Sequence, residues 1–106
     1  MLTEKKCKPC EGGVTKFSST EIAEYSAKLK EPWEVVDNMK IVKDFHFRDY
    51  AATMEFVNRV ADLSEEEGHH PVMHVFFSKV NIELWTHAIL GLSENDFILA
   101  AKIDEL

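Results

Sequence analysis

Along the chain the spacing of apolar residues changes period several times, and each change predicts an element. Behind the capping-box pair Ser18 and Glu21, Ile22, Tyr25 or Ser26, and Leu29 recur at helical intervals until Pro32 stops the pattern, which predicts a first helix. "WEVV", the turn dipeptide Asp37-Asn38 and "MKIVKDFHF" follow. There Met39, Ile41, Phe45 and Phe47 lie on one side of a period-two pattern that only Lys43 interrupts, so the segment reads as a hairpin. From Asp49 to about Glu67 there is no Gly or Pro, and Ala52, Phe56, Val60 and Leu63 trace a stripe at helical spacing, with Gly68 placed as the C-terminal cap of the longest helix. After Pro71, "VMHVFFS" and "VNIELWT" predict a second hairpin, in which Val80, Ile82, Leu84 and Thr86 share a face. Ser93 and Asp96 offer another capping box, ahead of an inward stripe of Phe97, Ala100, Ile103 and Leu106.

The order is therefore α-β-β-α-β-β-α. Two hairpins separated by a long helix predict an α+β domain, an antiparallel sheet with helices on one face. The other face would be left without cover, and exposed aromatic strand positions there would favour a homo-oligomer. Residues 1–17 are expected to form a flexible arm ahead of a single domain at 18–106, since a chain of 106 residues is the size of one domain.

Composition narrows the function classes. Apolar residues at 45% and charged residues at 29% suit an ordinary globular protein. A net charge of -7 without a basic cluster argues against nucleic acid and against anionic membranes. No apolar run approaches a membrane span and "MLTEKKCKPC" lacks the apolar core of a signal peptide, so a cytoplasmic location is expected. The closing Ile103-Asp104-Glu105-Leu106 resembles a retention tail with its lysine one place too early, and reads as a helix end. Cys7 and Cys10 have Cys-x-x-Cys spacing, but half a zinc site with no downstream partner pair, followed by "EGG", reads as a solvated arm without bound metal.

The chemistry gathers in "EEEGHHPVMHV". His69 and His70 fall between a helix cap and Pro71, which forces an extended backbone on its predecessor. Adjacent side chains then point to opposite sides, awkward for one metal but suited to flanking a ligand. His87 ends the last strand, and a shared sheet would place it at one edge of a cleft with the paired histidines. Asp96, in the first turn of the last helix, suits the helix dipole and could orient an imidazole. His46 reads as a solvent-facing strand residue and His74 as a polar member of an alternating strand.

The segment "EEEGHHPVMHVFFSKVNIELWTHAILGLSENDFILAAKID" resembles the signature of the pterin-4a-carbinolamine dehydratases: His-His-Pro, a "KV.I.L" strand, Thr-His and a "GLS..D" helix start. Trp33, "FHFRDY" and "CKPCEGG" extend the resemblance over nearly the whole chain. It implies a four-stranded antiparallel sheet with three helices packed on one face, and dehydration of 4a-hydroxytetrahydropterin to quinonoid dihydropterin without metal or organic cofactor. It further implies His69, His70 and His87 as catalytic residues, with Glu65, Asp96, Pro71 and Thr86 binding or orienting the pterin. A dimer or tetramer is expected, and the alternative is a non-catalytic protein-binding or dimerisation module, or a role in another pterin pathway. Met73, Gly68 and Phe77-Ser78 depart from the commoner pattern and bear on the pocket's shape more than on the chemistry.

Overall fold

A computed structural model describes residues 1–8 and 14–106. Helices α1 (Ser19–Ser26), α2 (Tyr50–Glu67) and α3 (Glu94–Ile103) accompany strands β1 (Glu34–Val36), β2 (Lys40–His46), β3 (Val72–Val75) and β4 (Lys79–Leu84). The strands form one antiparallel sheet in the order β1-β2-β4-β3. The two hairpins thus join through their second strands, with Ile41 opposite Leu84 and Phe45 opposite Val80.

Local chemistry fixes the joints. Asp37 and Asn38 both take positive φ, 54° and 52°, in the three-residue turn 37–39, where the Met39 amide donates to the Val36 carbonyl at 2.9 Å. Asp49 caps α2 by accepting from the Ala52 amide at 2.8 Å, and Gly68 ends it at φ 68°. The capping box of Ser18 and Glu21 opens α1.

One sheet face supplies the core. Ile41, Val80, Ile82 and Leu84 are fully buried in one cluster with Phe56 and Val60 of α2 and Phe97 and Ile98 of α3, each contributing roughly 1.5–3 kcal/mol of burial. Lys43, which interrupts the inward pattern, is an ion-pair partner: its Nζ meets Asp104 Oδ1 at 2.8 Å and Glu31 Oε2 at 3.1 Å, and Trp33 Nε1 donates to Asp104 Oδ2 at 3.0 Å. The sheet is thereby tied to the end of α3. The opposite face is polar, crossed by Lys40–Glu83, His74–Glu83 and Asn81–Asp44 bonds.

Several expectations are corrected. Helix α1 stops at Ser26, although Leu29 still packs on the core. The buried stripe of α2 runs through Thr53, Phe56, Val60, Ser64 and Glu67, rotated from Ala52 because Thr53 and Ser64 satisfy their hydroxyls on backbone carbonyls. Leu106 is exposed, beyond the last turn of α3. Exposed aromatics lie at the β3–β4 turn and the start of α2 (Phe76, Phe77, Tyr50), not across the outer sheet face. Within residues 1–8, Leu2 and Cys7 are buried while Met1, Glu4, Lys5, Lys6 and Lys8 are exposed; the Lys8 amide donates to Asn95 Oδ1 at 2.9 Å, and Asn95 Nδ2 returns a bond to the Lys8 carbonyl at 2.7 Å. Cys10 lies outside the described residues.

Candidate active site

Asp96 is the centre from which the site is built. Its carboxylate is fully buried, a position that is costly without hydrogen-bond partners. Oδ2 accepts from the Ser93 amide at 3.0 Å, which closes the start of α3, and from Thr86 Oγ1 at 2.8 Å. Thr86 Oγ1 also lies 2.8 Å from Ser93 Oγ. Oδ1 takes the remaining direction, toward His69 Nε2 at 2.6 Å. The helix start and an imidazole thus take different oxygens of one carboxylate.

Two loops meet there because their sequences turn them inward. Just past the left-handed Gly68, the His69 amide bonds to the Ser64 carbonyl at 3.2 Å, and its ring goes into the protein, 5% exposed. The extended backbone ahead of half-buried Pro71 then sends His70 outward, where its Nε2 lies 2.8 Å from Glu65 Oε1. On the other loop, Thr86 faces Asp96 while its backbone pairs with Gly91, so the chain leaves the sheet after Leu84. His87 therefore opens a one-turn 3-10 helix, His87–Ile89, and does not end the strand as expected. Its ring is exposed, and Trp85 Nε1 donates to its Nε2 at 2.6 Å, the two rings meeting edge-on with centroids 4.7 Å apart.

Of the residues expected from sequence, His69, Asp96 and Thr86 share one buried network, Glu65 stands against His70, and His87 is joined to the group through its neighbour Thr86. A hollow of about 570 Å³ between Leu2, Lys28, Ala101 and Asp104 contains none of them. Sequence reasoning missed Trp85, although a period of two places it on the side of His87. It also missed the support behind the histidine loop. Glu67 Oε2 receives Lys102 Nζ at 2.6 Å and Oε1 the Cys7 amide at 3.0 Å. Burial pushes the Glu67 carboxyl upward, but the bonds from Lys102 and Cys7 outweigh it and hold the group below the ordinary carboxylate range. The Cys7 thiol is pushed up to about 12, by burial first and by the Glu67 charge second. Among the described residues no three His, Cys, Asp or Glu side chains are grouped to hold a metal ion, and no helix is long and apolar enough to cross a membrane.

The family model described as Pterin 4 alpha carbinolamine dehydratase matches residues 15–106. A protein of Nitrosomonas europaea, provisionally named pterin-4-alpha-carbinolamine dehydratase, is 50% identical over 105 residues, covering 99% of this chain and 92% of that protein. One of Rickettsia canadensis with the same provisional name is 43% identical over 104 residues, covering 98% and 95%. Among solved structures, a transcriptional coactivator/pterin dehydratase from Brucella melitensis superposes with a TM-score of 0.80 at 27% identity, covering 86% of this chain and 97% of that one. A pterin dehydratase-like protein described as a RuBisCO assembly factor in the alpha-carboxysome gives 0.62 at 35% identity, covering 72% and 89%.

Proposed function

The chain belongs to the pterin 4 alpha carbinolamine dehydratase family, and from that premise we propose that it removes water from 4a-hydroxytetrahydropterins with imidazoles carrying the protons. The proton on N5 leaves, its electron pair forms the C4a=N5 double bond, the C4a–O bond breaks, and the departing hydroxide takes up a proton to become water. One group must accept a proton and another must supply one. The reaction balances without a redox partner or an organic cofactor.

The observation that carries this reading is the buried His69–Asp96–Thr86 network. It ties the loop bearing His70 to the loop bearing His87. His70 and His87 are then the proton carriers, His69 fixes the loop, Asp96 and Thr86 hold the geometry, Pro71 keeps the loop extended, and Glu65 steadies His70 at the rim.

The test is dehydration of freshly generated 4a-carbinolamine. The unmutated protein is expected to exceed the spontaneous rate clearly and His87→Ala to lose most of the excess; an unmutated protein no faster than solvent ends the reading. Exposed Val75, Phe76, Phe77 and Tyr50 favour self-association of this family member, checked by sedimentation at micromolar concentration, where a monomer alone would remove that part. Specific capture of a protein partner together with absent turnover would instead favour a binding module.

A further inference from the structure

We propose that Trp85 is a positioning residue that holds His87 as the proton acceptor of the reaction, with Nε2 bare and the ring hydrogen on Nδ1. The proposal rests on the dehydratase reading above and goes beyond it by dividing the two proton roles.

Hydrogen-bond chemistry at each imidazole decides the division. An indole N–H can only donate. The 2.6 Å bond from Trp85 Nε1 therefore requires a lone pair on His87 Nε2, which places the hydrogen of the neutral ring on Nδ1. An imidazolium, with hydrogen on both nitrogens, has to give that bond up. The situation at His70 is the reverse. The Glu65 carboxylate only accepts, so its 2.8 Å contact requires a hydrogen on His70 Nε2, and the neutral and the charged ring can both keep it. His69 presents hydrogen to Asp96 in the same way. Of the three histidines, His87 alone is held with an Nε2 that accepts a hydrogen instead of carrying one.

A base must present its lone pair before the substrate arrives, and an acid must present a hydrogen. The pterin N5–H is an N–H donor, as the indole N–H is, and it takes the indole's place at His87 Nε2. The proton then passes from N5 to Nε2, the N5 electron pair forms C4a=N5, and the C4a–O bond breaks. The hydroxide takes its proton from protonated His70 and departs as water. Both rings are exposed and return to their starting states by exchange with solvent. The edge-on contact of the indole with the imidazole leaves Nε2 aimed along one line, so Trp85 sets direction as well as tautomer.

Nitrogen-15 NMR of the histidine rings in the full chain, just above neutral pH, reads the tautomer directly. The unmutated protein is expected to show His87 with hydrogen on Nδ1. Trp85→Phe keeps an aromatic ring and removes only the donor; it should shift His87 toward the Nε2–H form and lower kcat roughly two- to tenfold, the weight of one neutral hydrogen bond. Hydrogen on Nε2 in the unmutated protein overturns the proposal without recourse to any variant. So does Trp85→Phe if either its tautomer balance or its kcat stays where it was. The expected tautomer in a protein that does not turn over would remove the dehydratase reading and leave the lock on His87 standing.

Discussion

His69 and His70 are consecutive residues, and each sets an imidazole Nε2 against a carboxylate oxygen, at 2.6 and 2.8 Å. The bonds match and the surroundings do not. The side chains of His69 and Asp96 are 5% and 0% exposed, those of His70 and Glu65 59% and 79%. In the interior, losing one partner strands a polar group where no water can replace it. At the surface, water replaces a lost partner almost completely. One pair can therefore hold the fold while the other stays open to solvent, and a one-residue step along an extended chain separates the two surroundings.

The largest effect that tests this contrast is the loss of Asp96. Asp96→Ala leaves His69, Thr86 and the Ser93 amide without their common acceptor, and should cost about 3–5 kcal/mol, read as a fall in the urea midpoint, together with dehydratase activity. A cost below about 1 kcal/mol, the range of an exposed pair, would make the two histidines equivalent and end the comparison.

The exposed residues should behave in the opposite sense. His70→Ala and His87→Ala are each expected to lower the dehydration rate by about 10²–10⁴-fold while stability moves within about 0.5 kcal/mol, as surface substitutions do. A variant that loses rate only in proportion to its loss of folded protein would assign that histidine to the scaffold beside His69.

How far this division was legible in the sequence follows from which residues report on their own neighbourhood. Gly68 and Pro71 bracket His69 and His70, so the opposite directions of the two rings could be read from backbone preference alone. Ser93 and Asp96 stand at capping-box spacing, so the helix start was legible too. Periodicity was less informative in α2, where Thr53, Ser64 and Glu67 are buried among apolar residues because each finds a partner that lies elsewhere in the chain or on its own helix. No local pattern announces that Oδ1 of Asp96 reaches a histidine 27 positions away. The anchoring of Cys7 and Lys8 was hidden for the same reason, since it depends on Asn95 and Glu67 rather than on any apolar rhythm of its own.

Glu67, two residues before His69, lies between the two extremes. Its carboxyl is held below the ordinary range in the folded protein, so the folded state binds fewer protons than the unfolded one as the pH falls. The resulting stabilisation is complete above the ordinary glutamate value of about 4.3 and is lost as the pH descends through the lower folded value. Chemical denaturation between neutral and acid pH should show stability falling in that window, and Glu67→Gln should flatten the fall. An unchanged slope would mean that the bonds from Lys102 and the Cys7 amide add nothing behind the histidine loop.

The smallest expected effect concerns Glu65. In Glu65→Gln the amide oxygen can still accept from His70 Nε2, so the tautomer is kept and only the charge is removed. Because both side chains are largely solvated, stability should change by less than about 0.5 kcal/mol. The dehydration rate should fall only a few-fold, since the carboxylate holds the His70 ring without touching the reacting atoms. That small difference has a signature of its own. Raising the salt from roughly 0.1 to 1 M shortens the Debye length from about 10 to 3 Å, and should bring the rates of the unmutated protein and the variant together. Rates that stay apart at high salt would show that Glu65 acts through direct contact rather than through its charge, and would move the exposed pair closer in kind to the buried one.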